Sequence, residues 1–324
     1  MSLVENPAYR AQNLWLNGIS LCPLDATLPG HITRLIHDMR KRHSSHTVPL
    51  VQEKMNLLNN LWMDGPEADV KDYFFANIFP TPSSTQCIGR DQRCQMSRDT
   101  VPGPETGNSK ISTPCPDMLY VYKDTAFTDA QRVQLYSIGG PLLANNQNAL
   151  YPFFYIEAEG DSSGERGSLW VATNQCLGGS VSCIRIAEDL NQKLRDQVCV
   201  LKEFLFYFLE ESYANVGRGA QISTEEEEGK TFQPIDHTIF SAAFNGTEAR
   251  LYVSWKDDVL NKYYMASMEN FLIHRPDHYL EFQKYVLNIV DWGRGQRLQS
   301  IRDALDTLIS REEEGKKEES QTRL

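Results

Sequence analysis

The segment at 151–158, Tyr-Pro-Phe-Phe-Tyr-Ile-Glu-Ala, constrains the fold more than any other part of the chain. It is almost wholly apolar or aromatic and is the strongest strand signal present. Two carboxylates, Glu157 and Glu159, follow one another at its end. Side chains at i and i+2 of a strand share a face, so both acids stand side by side where the strand leaves the core. Like charges that close raise one pKa unless a cation neutralises them.

Around this strand the chain alternates helical and extended patterns. Helical spacing of apolar residues predicts helices over 31–43 and 51–63. Arg40-Lys41-Arg42 suits the C-terminus of the first. Asp64-Gly65-Pro66-Glu67 reads as a stop and a new start, and Val70, Phe74, Phe75 and Ile78 form the apolar face of the helix that follows. Residues 80–116 are rich in Pro, Ser, Thr and Gly and predict a long mobile loop. Further on, 118–122 predicts a short strand, 129–138 a helix, and 168–193 and 198–213 two successive helices. Asn245-Gly246 is a hairpin turn signal between strands at 238–244 and 249–255. Helices at about 260–272, 277–292 and 297–311 complete the pattern. This order predicts one α/β domain, a small mixed sheet flanked by helices. It covers 31–310, with an irregular N-terminal arm at 1–30, a helical N-terminal part, and a charged tail at 311–324.

The 324 residues are enough for a core without covalent staples. Seven cysteines and no apparent secretory signal predict free thiols in a reducing, intracellular setting, cytoplasmic or nuclear. Cys87, Cys94 and Cys115 fit no common zinc spacing. No apolar run is long enough to span a membrane. The net charge of −11 argues weakly against a protein that wraps DNA. Part of it is local, in Glu225 to Glu228 and the tail. A basic face built from Lys256, Lys262, Lys284, Arg294, Arg297 and Arg302 is conceivable, although such residues on helices are usually solvated. Nucleotide-cradling glycine motifs are absent from the sequence.

Asp117 follows Pro116 at the start of the strand at 118–122. Were that strand to pair antiparallel with 151–158, its start would meet the other's end. Asp117 would then join Glu157 and Glu159. Converging carboxylates suit a hard divalent ion such as Mg²⁺ or Mn²⁺, which polarises a phosphate. An exposed pair of acids at a strand end is the alternative.

Pro116-Asp117, Glu157-Ala158-Glu159 and Gln175 on the next helix resemble the PD-(D/E)XK nuclease superfamily, and in particular its fungal nuclease-like branch. The likeness covers roughly 65–310. It rests on YPFFYIEAEGD (151–161), SLWVATNQCLGG (168–179), SAAFNGTEARLYVSW (241–255) and YLEFQKYVLNIVDWGRGQRL (279–298). The resemblance implies a restriction-endonuclease-like core and a nucleic-acid substrate, DNA or RNA. It implies that Asp117 and Glu157 ligate the metal, that Gln175 supports the site, and that Glu67 matches the first acidic position. The family's usual lysine is replaced by Glu159, which becomes an extra ligand or base or marks a repurposed site. Losing a catalytic acid or base typically costs roughly 10²–10⁴ in rate. Two other readings stand beside a metal-dependent phosphodiester hydrolase. One is a tRNA-dependent enzyme of secondary metabolism, such as an arginine-containing cyclodipeptide synthase. Of that group's Asp-Asp-x-x-Glu pattern only Asp257-Asp258 is present. The other is an inactive nuclease-fold binding protein.

Overall fold

Residues 150–158 form β4 (Leu150–Ala158), buried along its whole length. Its hydrogen-bonded neighbours are β3 (Met118–Tyr122), antiparallel, and β5 (Ile239–Phe244), parallel. The computed structural model describes residues 2–41, 52–64, 67–83, 86–104, 106–138, 143–159, 169–215 and 234–322. The acidic run at 225–228 and the loop at 161–167 lie outside the described residues.

The sheet has seven strands, in the order β1-β7-β6-β5-β4-β3-β2. The remaining strands are β1 (Ile19–Leu21), β2 (Ile88–Asp91), β6 (Glu248–Asp257) and β7 (Lys262–Leu272). Only β4/β5 and β1/β7 are parallel. The fold is therefore mixed α/β, with a larger sheet than the sequence suggested. The Asn245-Gly246 hairpin forms as expected. Asn245 Oδ1 accepts the amides of Thr247 at 3.1 Å and Glu248 at 2.7 Å, fixing the turn between β5 and β6.

The expected helix at 260–272 is a correction: the segment is β7. Asn261 takes a positive φ of 49° and reverses the chain, and residues 262–272 then pair with β6 on one side and β1 on the other. Cross-strand pairing overrides a composition that by itself is indifferent. The 1–30 arm is also more than irregular. Short helical turns run from Leu3 to Asn17, and β1 enters the sheet beside β7. Residues 80–116, expected as a mobile loop, contain β2 and bury Met96, Val101 and Ile111.

The helices are α1 (Gly30–Lys41), α2 (Gln52–Asp64), α3 (Glu67–Asn77), α4 (Asp129–Ile138), α5 (Leu169–Asn215), α6 (Pro276–Trp292) and α7 (Leu298–Thr322). The two helices expected at 168–193 and 198–213 are one, since Leu194 to Gln197 contain no proline or glycine to end α5. Likewise α7 runs on through most of the charged tail. Among the described residues no helix is long and apolar enough to cross a membrane.

Three layers result. The sheet face bearing Tyr155, Ser241 and Tyr252 packs on α5, where the Thr173 and Tyr252 hydroxyls meet at 3.0 Å. On the other face Phe244 stacks on Phe74 of α3 at 4.5 Å, and Phe271 meets Phe282 of α6 at 5.3 Å. Burying each such ring contributes about 2–3 kcal/mol. Gly179 permits the close approach of α5, because a Cβ there would lie 2.2 Å from the Tyr155 ring.

Candidate active site

The β3/β4 register pairs Met118 with Ile156. One step further, Asp117 stands beside the end of β4, as the antiparallel reading required. Asp117 Oδ2 accepts the Ala158 amide at 2.9 Å, locking the carboxylate to that strand. The approach to β3 is fixed as well, with the carbonyls of Pro114 and Pro116 accepting the amides of Met96 and Arg93. Asp117 Oδ1 accepts from Lys71 Nζ, also at 2.9 Å. That pair is nearly buried, with side-chain exposures of 9% for Lys71 and 13% for Asp117.

Glu157 is buried, and Tyr155 donates its phenol to Glu157 Oε1 at 2.5 Å. Burial pushes the Glu157 carboxyl well above the usual carboxylate range. The charges of Asp117 and Glu159 push the same way, while the Tyr155 hydrogen bond and the Lys71 ammonium oppose them. The surroundings respond to the same charges. Burial, then Glu157, raises the Tyr155 phenol. The Cys115 and Cys176 thiols are raised by burial and then by both acids. The acid pair thus sits in a medium where charge is costly and a cation is favoured.

Glu159 lies one residue beyond β4, half-buried, its amide bonded to the Phe244 carbonyl at 2.9 Å, and its charge reaches Glu157. Gln175, on α5, lines a cleft together with Tyr155, and its Oε1 is buried without a hydrogen-bond partner. Glu67 opens α3, four residues before Lys71; its side chain lies outside the described set. Asp257 is engaged in the β6–β7 turn, accepting the amides of Val259 and Leu260.

Three of the six residues of the conceivable basic face are engaged within the fold. Arg297 is buried and donates to the carbonyls of Tyr151 and Pro152. Arg302 donates to the Ala126 carbonyl, and Lys256 pairs with Glu188. Trp255 and Trp292 are core residues. His278 lies in the first turn of α6, just after Pro276, and Nδ1 accepts the Leu272 amide at 3.0 Å.

The carboxylates fit a divalent ion in part. Among the described residues no group of three or more His, Cys, Asp or Glu side chains is arranged to hold a metal, so Glu159 does not complete a three-acid cage. Asp117 and Glu157 do converge. Mg²⁺ commonly takes one or two carboxylates and fills its remaining positions with water and substrate phosphate, and an acid whose charge is made costlier by a neighbour, as Glu157 is by Asp117, is a donor such an ion relieves.

Lys71 is the site residue that reading the sequence missed. The signal was there: Lys71 falls inside the apolar stripe of Val70, Phe74, Phe75 and Ile78. A lysine in a buried stripe needs a partner of opposite charge.

Residues 55–209 match the profile of a domain of unknown function, DUF7924, just under half of the chain. That stretch holds Glu67, Lys71, Asp117, Glu157, Glu159 and Gln175 and stops short of β5–β7. No curated protein matches the chain.

Proposed function

We propose that this protein is a PD-(D/E)XK nuclease-like phosphodiester hydrolase that works with Mg²⁺ or Mn²⁺ on DNA or RNA. The observation that carries the reading is the meeting of Asp117 and Glu157 at the β3/β4 junction, with the Lys71 ammonium 2.9 Å from Asp117. Asp117 and Glu157 would hold the cation. When bound, it supplies Lewis-acid polarisation of the phosphate.

The chain's own groups do the rest. The Ala158 amide and Lys71 orient the Asp117 carboxylate. Lys71 places positive charge where the family's strand lysine is missing, and so offsets negative charge that builds on phosphate oxygens as water attacks. In that reaction water adds to phosphorus and one P–O ester bond breaks. The leaving oxygen takes a proton, giving a hydroxyl and a phosphate monoester. Glu157 favours its protonated form. It must release that proton before it can ligate a cation, so cation affinity rises with pH.

The Lys71–Asp117 pair also favours a second reading, because it neutralises the site internally. A nuclease-fold protein that binds without cleaving would keep such a pair and need no metal. Cleavage decides between them. End-labelled single- and double-stranded DNA and RNA are incubated with Mn²⁺ and with wild type, Asp117→Asn or Lys71→Met. Turnover by wild type that falls at least 10²-fold in both variants supports hydrolysis. Absence of turnover on every substrate removes it.

A further inference from the structure

At the end of the sheet that holds the acid pair, two arginines gather that the hydrolysis step does not use. The register runs from Glu157 of β4 to Ala243 of β5 and on to Arg250 of β6. Directly paired strand residues share a face, so Arg250 stands in one row with Glu157, two strands away. Strands lie about 4.8 Å apart, which puts the two backbones about 10 Å from each other. Arg10 reaches the first turns of α5 from the N-terminal segment. Its Nε donates to Asn174 Oδ1 at 2.5 Å and its Nη2 to the Trp170 carbonyl at 3.5 Å, and its guanidinium lies 5.2 Å from the centre of the Trp170 ring.

The two guanidiniums feel one another. Burial pushes Arg10 below the usual arginine range, and the charge of Arg250 pushes the same way. The Tyr252 hydroxyl is within electrostatic reach of both and meets the Thr173 hydroxyl at 3.0 Å. Arg250 gives Nε and Nη2 to Glu248, at 2.7 and 3.3 Å. No carboxylate among the described residues pairs with Arg10, whose partners are an amide oxygen, a carbonyl and a ring. Two guanidiniums against one carboxylate leave one positive charge unbalanced in a half-buried place, where an unpaired charge is costly. Both remain open to solvent: the Arg250 side chain is 34% exposed, and Arg10 is partly exposed.

We propose that Arg10 and Arg250 form an oxyanion site that holds a phosphate of a nucleic-acid backbone, beside the phosphate acted on at Asp117 and Glu157. The proposal rests on the phosphodiesterase reading and names where the rest of that substrate is gripped. Charge favours this occupant, because each backbone phosphate carries a single negative charge and the site has a single positive charge to spare. Guanidinium geometry favours it too, since the planar fork meets two phosphate oxygens at once. The row shared with Glu157 lets one strand engage both places across a short stretch of backbone. A contact of this kind fixes position and reads no base.

The test uses two fluorescein-labelled single-stranded oligonucleotides of equal length and unrelated sequence, each as DNA and as RNA. They are titrated with full-length wild type, Arg10→Gln, Arg250→Gln, Arg10→Lys and Arg250→Lys, each checked for native circular dichroism. Binding is followed by anisotropy in EDTA, which prevents metal-dependent cleavage, over about 50 to 200 mM salt. Each glutamine variant should weaken binding roughly fivefold, by the same factor for both sequences. Each should also lower the slope of log affinity against log salt by about 0.7, the share of one phosphate contact on a single strand. The lysine variants keep the charge and should keep the wild-type slope. Wild-type affinity and slope in both glutamine variants, or no binding of either nucleic acid by wild type, overturns the proposal. Inorganic phosphate is titrated calorimetrically into the same proteins. Phosphate binding that both glutamine variants lose, with no oligonucleotide bound, would overturn the backbone assignment in favour of a small phosphorylated ligand. Cleavage by wild type with unaltered slopes in the variants would leave the hydrolase reading standing and remove the site. The expected loss of slope without turnover on any substrate would do the reverse.

Discussion

Replacing Lys71 by methionine removes the ammonium that neutralises Asp117 while keeping most of the side chain's bulk. The two groups lie 2.9 Å apart and are 9% and 13% exposed, so water replaces little of what is lost. Breaking a buried ion pair from one side costs about 3–5 kcal/mol. The residual exposure of Asp117 places this site at the lower end, about 3 kcal/mol at neutral pH. Glu157 worsens the deficit, because Lys71 also opposes the rise of its pKa. The sign with pH is fixed. Glu157, whose carboxyl burial already holds above the usual range, takes up a proton as pH falls and removes one of the charges the ammonium faced, so the deficit shrinks in acid. The double variant Lys71→Met/Asp117→Asn should recover more than half of the loss, since no charge is left unpaired there. Urea unfolding followed by tryptophan fluorescence at pH 5 and pH 8 measures all three proteins. A loss below about 0.5 kcal/mol, the level of an ordinary surface change, would refute the reasoning. So would a loss identical at both pH values.

The raised Glu157 carboxyl predicts a pH dependence of its own. Its folded pKa stands well above 4.5, so the folded state holds a proton that the unfolded state has released. Stability is full below about 4.5 and declines as pH climbs through the folded value; a Tm series from pH 4.5 to 8 should flatten in Glu157→Gln. Gly179→Ala places a Cβ 2.2 Å from the Tyr155 ring and should destabilise by about 1–3 kcal/mol. Gly178→Ala, with nothing nearer than 3.6 Å, should be neutral or stabilise by about 0.5–1 kcal/mol in the same urea assay.

The centre of the sheet and the meeting of Asp117 with Glu157 were legible because they depend on local pattern. A run such as Tyr151 to Ala158 has few alternatives to a buried strand, and an antiparallel neighbour then fixes which ends touch. The short edge strands were not legible. Ile19 to Leu21 and Ile88 to Asp91 carry too few residues for a period, and their identity comes from β7 and β3 beside them. Residues 262–272 misled for a related reason: Tyr, Met, Ala, Ser and Glu sit in helices and strands alike, and the partners on both sides decide. Glu159 was expected to complete a cage from its i,i+2 spacing, but it lies past the last strand residue, where strand alternation no longer dictates direction. Lys71 was hidden by distance in sequence, since 46 residues separate it from Asp117.

The central claim is that Asp117 and Glu157 hold a divalent cation for chemistry on a phosphodiester. Calorimetric titration of Mn²⁺ into wild type, Asp117→Asn and Glu157→Gln at pH 6 and pH 8 tests it most directly. The account predicts one saturable site in wild type, tighter at pH 8 as Glu157 gives up its proton, and lost in both variants. No binding by wild type at either pH, or binding that survives both substitutions, would contradict it.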